Sequence, residues 1–341
     1  MHKRLQLIHD RWKAFAETKR GIRTVKATRL LFLAIVVSVL IYQITGIGWA
    51  SVFTSLPESP FFYVLLLAMY FLLPATEATI YGRLWDLRPR ECFPVMIRKR
   101  VLNVDVVGYS GEIYLFVWAK NRVKMASRRL MGVIKDNLIL SSAASLSAAA
   151  LLIAGLLATE QIAIDAFAAD PSPYYAGLIG FAVFLAAALA LRFRDALFTL
   201  PTRVLGAVGA AHLVRFLVGY VLQVAQWWVV LPSAPFESWA TLLVLFVVIN
   251  RIPFLPSSDL VFVSAGVGLA PLLGIPVAPV VSMLIVRSAA DRLLNLGFFA
   301  GSVWFERRAG YSIAEPANRA DEEISDEKWT DNREIAITLK S

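Results

Sequence analysis

The stretch VVGYSGEIYLFVWAK, residues 106–120, determines how the first half of the chain is organised. It is mostly apolar and contains one acid, Glu112. Basic residues flank it on both sides: Arg83, Arg88, Arg90, Arg98, Lys99 and Arg100 before it, and Lys120, Arg122, Lys124, Arg128, Arg129 and Lys135 after it. Because Lys and Arg near membrane spans stay on the cytoplasmic side, a single crossing would misplace one block. A hairpin over residues 101–119 satisfies both blocks, and Gly108 and Gly111 suit its reversal.

The composition places most of the chain in a lipid environment. Of its 341 residues, 58% are hydrophobic, against about 45–50% apolar residues in a soluble domain. They form long blocks without the periodicity of an amphipathic helix, which is typical of bilayer spans. One cysteine and three histidines exclude an intramolecular disulfide and argue against a metal site, and no cofactor is predicted. We interpret the net charge of +9 as a topology signal rather than as a sign of nucleic-acid binding.

Apart from the hairpin, the apolar blocks predict seven membrane-spanning helices. They cover residues 30–50, 61–82, 136–158, 174–191, 204–231, 239–252 and 277–304. The loops on the opposite side from the basic blocks lack Lys and Arg, which agrees with an external location. These loops are residues 46–60, 159–173 and 232–238.

The chain has three predicted regions. Residues 1–29 form a basic arm with nine Lys and Arg against two acids, which places the N-terminus in the cytoplasm. Residues 30–305 form the membrane domain. Residues 306–341 form a polar tail with nine acids and six Lys and Arg, which is expected to be flexible or only locally ordered. Arg307 and Arg308 favour a cytoplasmic tail, which requires residues 253–275 to cross as an eighth span.

A second interrupted segment, RIPFLPSSDLVFVSAGVGLAPLLGIP, covers residues 251–276 and holds four prolines and three glycines. A continuous spanning helix rarely contains so many breaks, so the segment predicts a discontinuous or re-entrant element. Each half of the chain then contains two spans, a broken segment with one acid (Glu112 or Asp259), and a further span. The predicted fold is therefore all-α: a polytopic membrane protein with about seven or eight transmembrane helices and two re-entrant or broken elements in a pseudo-repeat.

Ionisable side chains inside the apolar segments mark candidate functional positions, because each costs at least ~2.5–3.5 kcal/mol to insert. Such residues should face a shared polar interior. Arg251 and Arg287 suit forked hydrogen bonds to a phosphate, although Arg287 and Asp291, four residues apart on a helix, suit a local ion pair equally well. The predicted substrate-binding residues are Tyr109, Ser110, Glu112, Arg215, Arg251, Ser257, Ser258, Asp259, Arg287, Asp291 and Arg292.

The string Gly108-Tyr109-Ser110-Gly111 also resembles the serine motif of rhomboid intramembrane proteases. This resemblance implies Ser110 as nucleophile and His212, the histidine of the membrane domain, as base. Several features argue against it. Glu112 interrupts the apolar helix that follows the family's serine, and the separation of about a hundred residues between Ser110 and His212 is roughly double the family's. No upstream oxyanion element is visible in residues 61–85. We therefore interpret His212 as a packing histidine, hydrogen-bonded to a carbonyl.

The two broken segments resemble a different family, the lysylphosphatidylglycerol synthase transmembrane or flippase-like family. GYSGEIY, residues 108–114, is similar to the family's first element, roughly P-G-x-x-G-E followed by an Arg/Tyr-rich turn. PFLPSSDLVFVSAGVGLAPLLGIP, residues 253–276, is similar to its second element, roughly P-x-P-G-G-x-G-x-x-E. LIVRSAADRLL, residues 284–294, is similar to the arginine-containing span that follows, and IYQITGIGW, residues 41–49, to the end of the first span. The resemblance covers about residues 20–305.

The chain departs from the family pattern at three points, which affect the expected substrate more than the expected fold. The first element lacks its proline, Ser257 and Ser258 replace a glycine pair, and Asp259 stands at a shifted position in place of a glutamate. The resemblance implies a protein of the bacterial inner membrane that moves a lipid between leaflets. An anionic phospholipid or an isoprenoid-linked lipid is the expected partner, with its headgroup in a laterally open cavity.

Two other functions remain open. A membrane enzyme acting on a lipid-linked substrate would use Glu112 or Asp259 as a base. A non-transporting scaffold would instead dock lipid-synthesis enzymes through the basic loops or the tail. The chain has no G-x-x-x-x-G-K-[ST] nucleotide motif, so transport is predicted to be passive or driven by an ion gradient.

Overall fold

The computed structural model describes residues 49–106, 109–161, 197–252 and 258–309, together with residues 38, 41, 42 and 45. Within these residues every regular element is helical and no strand occurs, so the predicted all-α class is confirmed there. The helices, numbered in chain order, are α1 (Trp49–Thr54), α2 (Pro60–Trp85), α3 (Pro89–Val101), a π-helical segment (Leu102–Val106), α4 (Ser110–Arg122), α5 (Ser127–Ala158), α6 (Thr202–Val230), α7 (Phe236–Ile249), α8 (Ser258–Leu269) and α9 (Val277–Ala309).

Three of the described helices, α2, α5 and α6, are long and apolar enough to cross a membrane. Their mean hydropathies over the most apolar window are 1.7, 2.0 and 1.7. The predicted spans at 61–82 and 204–231 agree closely with α2 and α6. The predicted span at 136–158 lies within α5, which begins nine residues earlier, at Ser127.

The other four predicted spans either lie mainly outside the described residues or correspond to helices that are short or that carry charged residues. The span at 174–191 lies outside the described residues, as does most of the span at 30–50. The span at 239–252 corresponds to the 14-residue helix α7, which is short for a bilayer. The span at 277–304 lies within α9, whose middle carries Arg287, Asp291 and Arg292. Within the described residues the structure therefore supports three candidate spans, and the count of seven or eight stays a prediction.

The predicted hairpin exists as a pair of helices, but it begins earlier than expected. Residues 89–101, which include four of the basic residues before the hairpin, form helix α3, and Arg98 and Lys99 are buried. Hydrogen bonds and an ion pair inside the protein compensate these two cations, and the side of the membrane on which α3 lies stays a prediction.

The described part of the reversal between α3 and α4 is Tyr109 and the first turn of α4. Tyr109, with φ of 69°, takes the left-handed conformation at the start of α4, whereas Gly108 lies outside the described residues. Gly111 serves close packing, because a Cβ atom there would collide with the backbone carbonyl oxygen of Lys99. The hairpin is therefore held together by a backbone contact that only glycine permits.

The described residues divide into two compact units. The larger unit comprises those of Glu58–Ala240 and Ala289–Ser341, and the smaller comprises those of Met1–Pro57 and Thr241–Ser288. In the larger unit, α2, α3, α4 and α5 enclose an apolar core. Its buried members are Ala78, Tyr81, Trp85, Cys92, Val95, Met96, Leu115, Ala119, Leu130, Val133 and Ile134.

The smaller unit is organised around α8. Phe246 of α7 meets Phe262 of α8 edge-to-face, with their ring centroids 5.1 Å apart. An added Cβ at Gly266 would lie 3.1 Å from a methyl group of Leu284, so α8 packs closely against α9 at that point. Gly274, with φ of 65°, takes the left-handed conformation in the turn that leads to α9. The predicted break in residues 251–276 thus contains a 12-residue helix and a glycine turn.

The single cysteine is expected to be unreactive in the folded protein. Cys92 is fully buried in the α2–α5 core, and burial together with the nearby Glu91 carboxylate raises its pKa to about 11. Purified protein at pH 8 should therefore label with a thiol-reactive dye only on heating or in denaturant. Rapid labelling of the native protein would contradict the described packing of α3.

Substitution of Gly111 is expected to destabilise the hairpin. Gly111→Ala forces the Lys99 carbonyl away and should lower stability by about 1–3 kcal/mol, as overpacking does. Gly206→Ala is the matched control, because a Cβ at this helical glycine meets nothing within 4 Å. The temperature at which Cys92 becomes reactive measures the stability of both variants. Equal transition temperatures for the two variants would disprove the close contact.

Candidate functional site: a buried charged network

The most unusual feature of the larger unit is a buried lysine between two carboxylates. Nζ of Lys99 on α3 donates to Oε1 of Glu77 on α2 at 2.6 Å and lies 3.4 Å from Oε1 of Glu112 on α4. The exposed fractions of the three side chains are only 6%, 7% and 14%, respectively. Burying such charges is costly unless each meets an opposite charge with good geometry. The network therefore specifies how these three helices pack.

The α3–α4 hairpin positions Glu112 through its own polar groups. Nδ2 of Asn103, in the π-helical segment, donates to Oε1 of Glu112 at 3.1 Å. Oδ1 of the same Asn103 accepts the backbone N–H of Gly111 at 2.7 Å, which satisfies one of the otherwise unpaired amides in the first turn of α4. Ser110 donates its hydroxyl to the carbonyl of Leu102 at 2.9 Å. These bonds tie the start of α4 to the π-helical segment and orient Glu112 toward Lys99.

The network continues from Glu77 into α5 and α6. Nδ2 of Asn137 lies 3.5 Å from Oε1 of Glu77, at the long limit of hydrogen bonding, and Oδ1 of Asn137 lies 3.0 Å from Nε2 of His212. An ionised Glu77 can only accept, so it turns the amide nitrogen of Asn137 toward itself. The amide oxygen then faces Nε2 of His212, which can donate to it. The contact fits the tautomer of His212 that carries its proton on Nε2.

The carboxylates keep Lys99 charged. Burial alone would lower the pKa of Lys99, but Glu77 and Glu112 attract its ammonium group and raise the pKa above its usual value. Since the folded pKa is raised, the stabilisation is complete at neutral pH and is lost only when the pH rises through that raised value. The ring of Tyr81, whose centroid is 5.8 Å from Nζ of Lys99, covers one side of the ammonium.

Arg215 and Asp291, two further predicted substrate-binding residues in the larger unit, contact residues outside the Glu77–Lys99–Glu112 network. Nη2 of Arg215 donates to the hydroxyl of Ser141 at 3.2 Å, which joins α6 to α5. Asp291 on α9 lies 3.7 Å from Nη2 of Arg100. The guanidinium carbon of this Arg100 is 3.9 Å from the ring centroid of Tyr70. Arg292 and Tyr109 are exposed.

In the smaller unit, the predicted acid Asp259 is hydrogen-bonded to a side chain of another helix. Oδ2 of Asp259, in the first turn of α8, accepts the hydroxyl of Ser288 on α9 at 2.6 Å. Ser258 donates its hydroxyl to Oδ1 of Asn250 at 3.1 Å. The guanidinium carbon of Arg287 lies 5.8 Å from the ring centroid of Phe246. Arg251 is partly buried in the turn that follows α7, and Ser257 lies outside the described residues.

The predicted site residues fall into both units. Glu112 and Ser110 belong to the larger unit and Asp259, Ser258 and Arg287 to the smaller one, and each set is described on its own. A single cavity formed by all of them therefore stays a prediction. Within the larger unit, sequence reasoning selected Glu112. It omitted Lys99 and Asn103, which contact Glu112, and Asn137, which contacts Glu77.

A signal for part of this network was present in the sequence. Glu77 is an acid inside the apolar block of α2, and such an acid requires a partner. Asp136 and Asn137 are polar residues at the edge of the apolar part of α5, and the same reasoning could have identified them as residues that require partners. Lys99 could not be distinguished from the neighbouring Arg98 and Arg100, because a basic cluster beside a span is the normal topological signal.

The structure gives Ser110 and His212 separate partners. Ser110 donates to the Leu102 carbonyl, and Nε2 of His212 contacts the side-chain carbonyl oxygen of Asn137. A serine nucleophile would instead donate to its histidine base. The arrangement agrees with the interpretation of His212 as a packing histidine.

No family model, curated protein or solved structure matches this chain.

Removal of Lys99 alone is expected to be much more harmful than removal of the Lys99–Glu77 pair. Lys99→Met leaves two buried carboxylates without their cation and should cost about 3–5 kcal/mol. Lys99→Met combined with Glu77→Gln removes one of those charges and should recover at least half of the lost stability. The measurement is the temperature at which Cys92 becomes reactive.

Lys120→Met is the control for this series, because Lys120 is an exposed lysine on α4 and should shift stability by less than about 0.5 kcal/mol. If the double variant is as unstable as the sum of its two single variants, Lys99 and Glu77 do not interact.

Proposed function

We propose that this protein is a lipid transporter of the bacterial inner membrane that moves a phosphate-bearing lipid headgroup between leaflets. The full proposed architecture has seven or eight spans, a cytoplasmic N-terminus and two broken elements in a pseudo-repeat. The headgroup passes through a polar interior that is open sideways to the bilayer, while the lipid tails stay in the membrane. The resemblance of residues 108–114 and 253–276 to flippase-like elements supports this assignment.

The observation that carries the proposal is the buried Glu77–Lys99–Glu112 network. Glu77 lies within α2, one of the three candidate spans, and His212, at the far end of the network, lies within α6, another of them. Charged groups at membrane depth are rare because of their cost, and they mark substrate or ion pathways by default. A scaffold that only docks other proteins does not need such a group inside its helices.

The surface of the candidate spans agrees with direct exposure to lipid. Only 33%, 22% and 28% of the most apolar windows of α2, α5 and α6 are buried inside the protein. The outward residues include large apolar side chains such as Phe61, Leu146 and Val221. Apolar faces of this extent require a lipid or protein environment, and a lipid environment gives the tails of a lipid substrate lateral access.

The two broken elements share local features that support a pseudo-repeat. Glu112 lies in the first turn of the 13-residue α4, and Asp259 lies in the first turn of the 12-residue α8. The first serine of each helix donates its hydroxyl to the residue eight positions earlier, Ser110 to Leu102 and Ser258 to Asn250. Paired broken helices in corresponding halves are the arrangement in which transporters place their binding sites.

The charges of the chain suit a headgroup that carries phosphate. Arg215, Arg251, Arg287 and Arg292 supply guanidinium groups, which bind phosphate through paired hydrogen bonds. Glu112 and Asp259 balance these cations or contact an amine on the headgroup. This division of roles leaves the identity of the lipid open between an anionic phospholipid and an isoprenoid-linked phosphate.

Transport is expected to depend on Glu112. The full chain is reconstituted into vesicles that contain fluorescent phosphatidylglycerol or a fluorescent polyprenyl phosphate, and loss of fluorescence to an impermeant quencher reports leaflet exchange. Glu112→Gln removes the charge that faces Lys99 and should slow exchange about tenfold, which corresponds to a loss of ~1.4 kcal/mol.

Glu91→Gln is the matched control, since Glu91 is an exposed glutamate on the same hairpin. Its exchange rate should equal that of the unmodified protein. Vesicles with the intact protein that exchange no faster than empty vesicles would overturn the transport proposal. Recovery of a chemically altered lipid would favour the membrane enzyme with Glu112 as its base.

A further inference from the structure

Arg100 places a cation beside the middle of a candidate membrane span. Its Nη1, near the end of α3, donates to the backbone carbonyl of Tyr70 at 3.3 Å, and Tyr70 lies near the middle of α2. The Arg100 side chain nevertheless keeps an exposed fraction of 18%. A guanidinium group exposed at this depth needs a polar ligand or a wet cavity, because hydrocarbon cannot solvate it.

The guanidinium plane of Arg100 is fixed by the aromatic ring against which it lies. Its central carbon is 3.9 Å from the ring centroid of Tyr70. The Tyr70 ring also stacks on Phe298 of α9 with a centroid distance of 5.7 Å, and its hydroxyl donates to Oδ1 of Asn295 at 2.8 Å. Since Tyr70 is buried and held at both its ring and its hydroxyl, the Arg100 fork is oriented before any ligand arrives.

The ion pair of Arg100 is loose. Nη2 of Arg100 lies 3.7 Å from Oδ1 of Asp291, which is longer than a hydrogen bond, and a third of the Asp291 side chain is exposed. Long and partly exposed pairs contribute little to stability. By contrast, Nζ of Lys99 is 2.6 Å from the Glu77 carboxylate in a buried pair. An incoming anion can therefore displace Asp291 from Arg100, whereas Glu77 stays with Lys99.

The described charged side chains around Arg100 favour an anion. The two cations that precede it on α3, Arg98 and Lys99, are buried and have partners of their own. On α9, Asp291 is followed by Arg292, which is exposed. Arg100 and Arg292 thus supply two cations against the single carboxylate of Asp291.

The surface next to this charged group suits the tails of a lipid. Leu293 and Leu296, which follow Asp291 on α9, are exposed. Only 33% of the most apolar window of α2 is buried inside the protein. Apolar surface of this kind gives acyl or isoprenoid chains a place beside the headgroup, and a free phosphate ion would gain nothing from it.

We propose that Arg100 binds the phosphate of a lipid headgroup and that this phosphate replaces Asp291 as the anion on Arg100. The guanidinium donates forked hydrogen bonds from the nitrogen atoms that do not bind the Tyr70 carbonyl, while Tyr70 holds its plane. Without a lipid, Asp291 balances the charge of Arg100. The assignment rests on the transport function proposed above, because it names the residue that receives the headgroup during passage.

Lipid binding to the full chain tests the assignment. The protein in detergent is titrated with phosphatidylglycerol or a polyprenyl phosphate, and native mass spectrometry counts the bound lipid. Arg100→Met should weaken the tightest binding step about tenfold, because the charge-assisted hydrogen bonds to phosphate are lost. Asp291→Asn should strengthen that step about threefold, because the competing carboxylate is removed. Diacylglycerol, which lacks phosphate, should bind the intact protein and Arg100→Met equally.

Arg90→Met is the matched control, since Arg90 is an exposed arginine of the same helix. It should bind both lipids as the intact protein does. Arg100→Lys keeps the charge without the planar fork and should also bind less tightly than the intact protein. Equal lipid binding by folded Arg100→Met and the intact protein overturns the proposal, as does weaker binding by Asp291→Asn. Folding is checked by the temperature at which Cys92 becomes reactive, and Arg100→Lys decides the test if Arg100→Met does not fold.

Two further measurements separate a lipid from a soluble ion and this site from the transport function. If inorganic phosphate raises the temperature at which Cys92 reacts while neither lipid binds, the site takes a soluble anion and the lipid assignment is overturned. Lipid binding that depends on Arg100, without leaflet exchange, supports the site and rejects the transport function. Leaflet exchange that Arg100→Met leaves unchanged overturns the site and leaves the transport function standing.

Discussion

The ion pair between Lys99 and Glu77 is the constraint on which the larger unit depends. A buried ammonium and a buried carboxylate are tolerable only when they meet, so α2 and α3 are fixed at the height where these side chains lie 2.6 Å apart. The backbone carbonyl of the same Lys99 touches Gly111, which fixes the distance between α3 and α4. One residue thus sets two helix contacts, through its side chain and through its main chain.

The network also explains why polar residues occur where packing alone would place apolar ones. Asn137 and His212 are almost fully buried in helices that are otherwise apolar. Each residue satisfies a group of the next helix, from Glu77 on α2 through Asn137 on α5 to His212 on α6. Buried polar groups of this kind are stable only as a chain, because loss of one member leaves its neighbours unpaired.

The sequence predicted the long apolar helices well and the hairpin only in part. The α2 and α6 helices have predicted ends within a few residues of the observed ones, because long apolar blocks are unambiguous. Helix α3 was missed because residues 89–101 contain four Lys and Arg, and hydropathy alone cannot distinguish a solvated basic block from a buried one. Glu112 was selected from the sequence as an ionisable residue of a polar interior, whereas its partner Lys99 becomes visible only once α3 is folded against α2.

The hydrogen-bond chain from Glu77 to His212 has a direction. At each step the donor lies on the side toward His212, since Glu77 accepts from Asn137 and Asn137 accepts from His212. The Glu77→Gln side chain could donate as well as accept, so the Asn137 amide could then present its oxygen to α2 and its nitrogen to His212. A change of charge on α2 would therefore reach α6 as a reversal of bond polarity, with the helices themselves standing still.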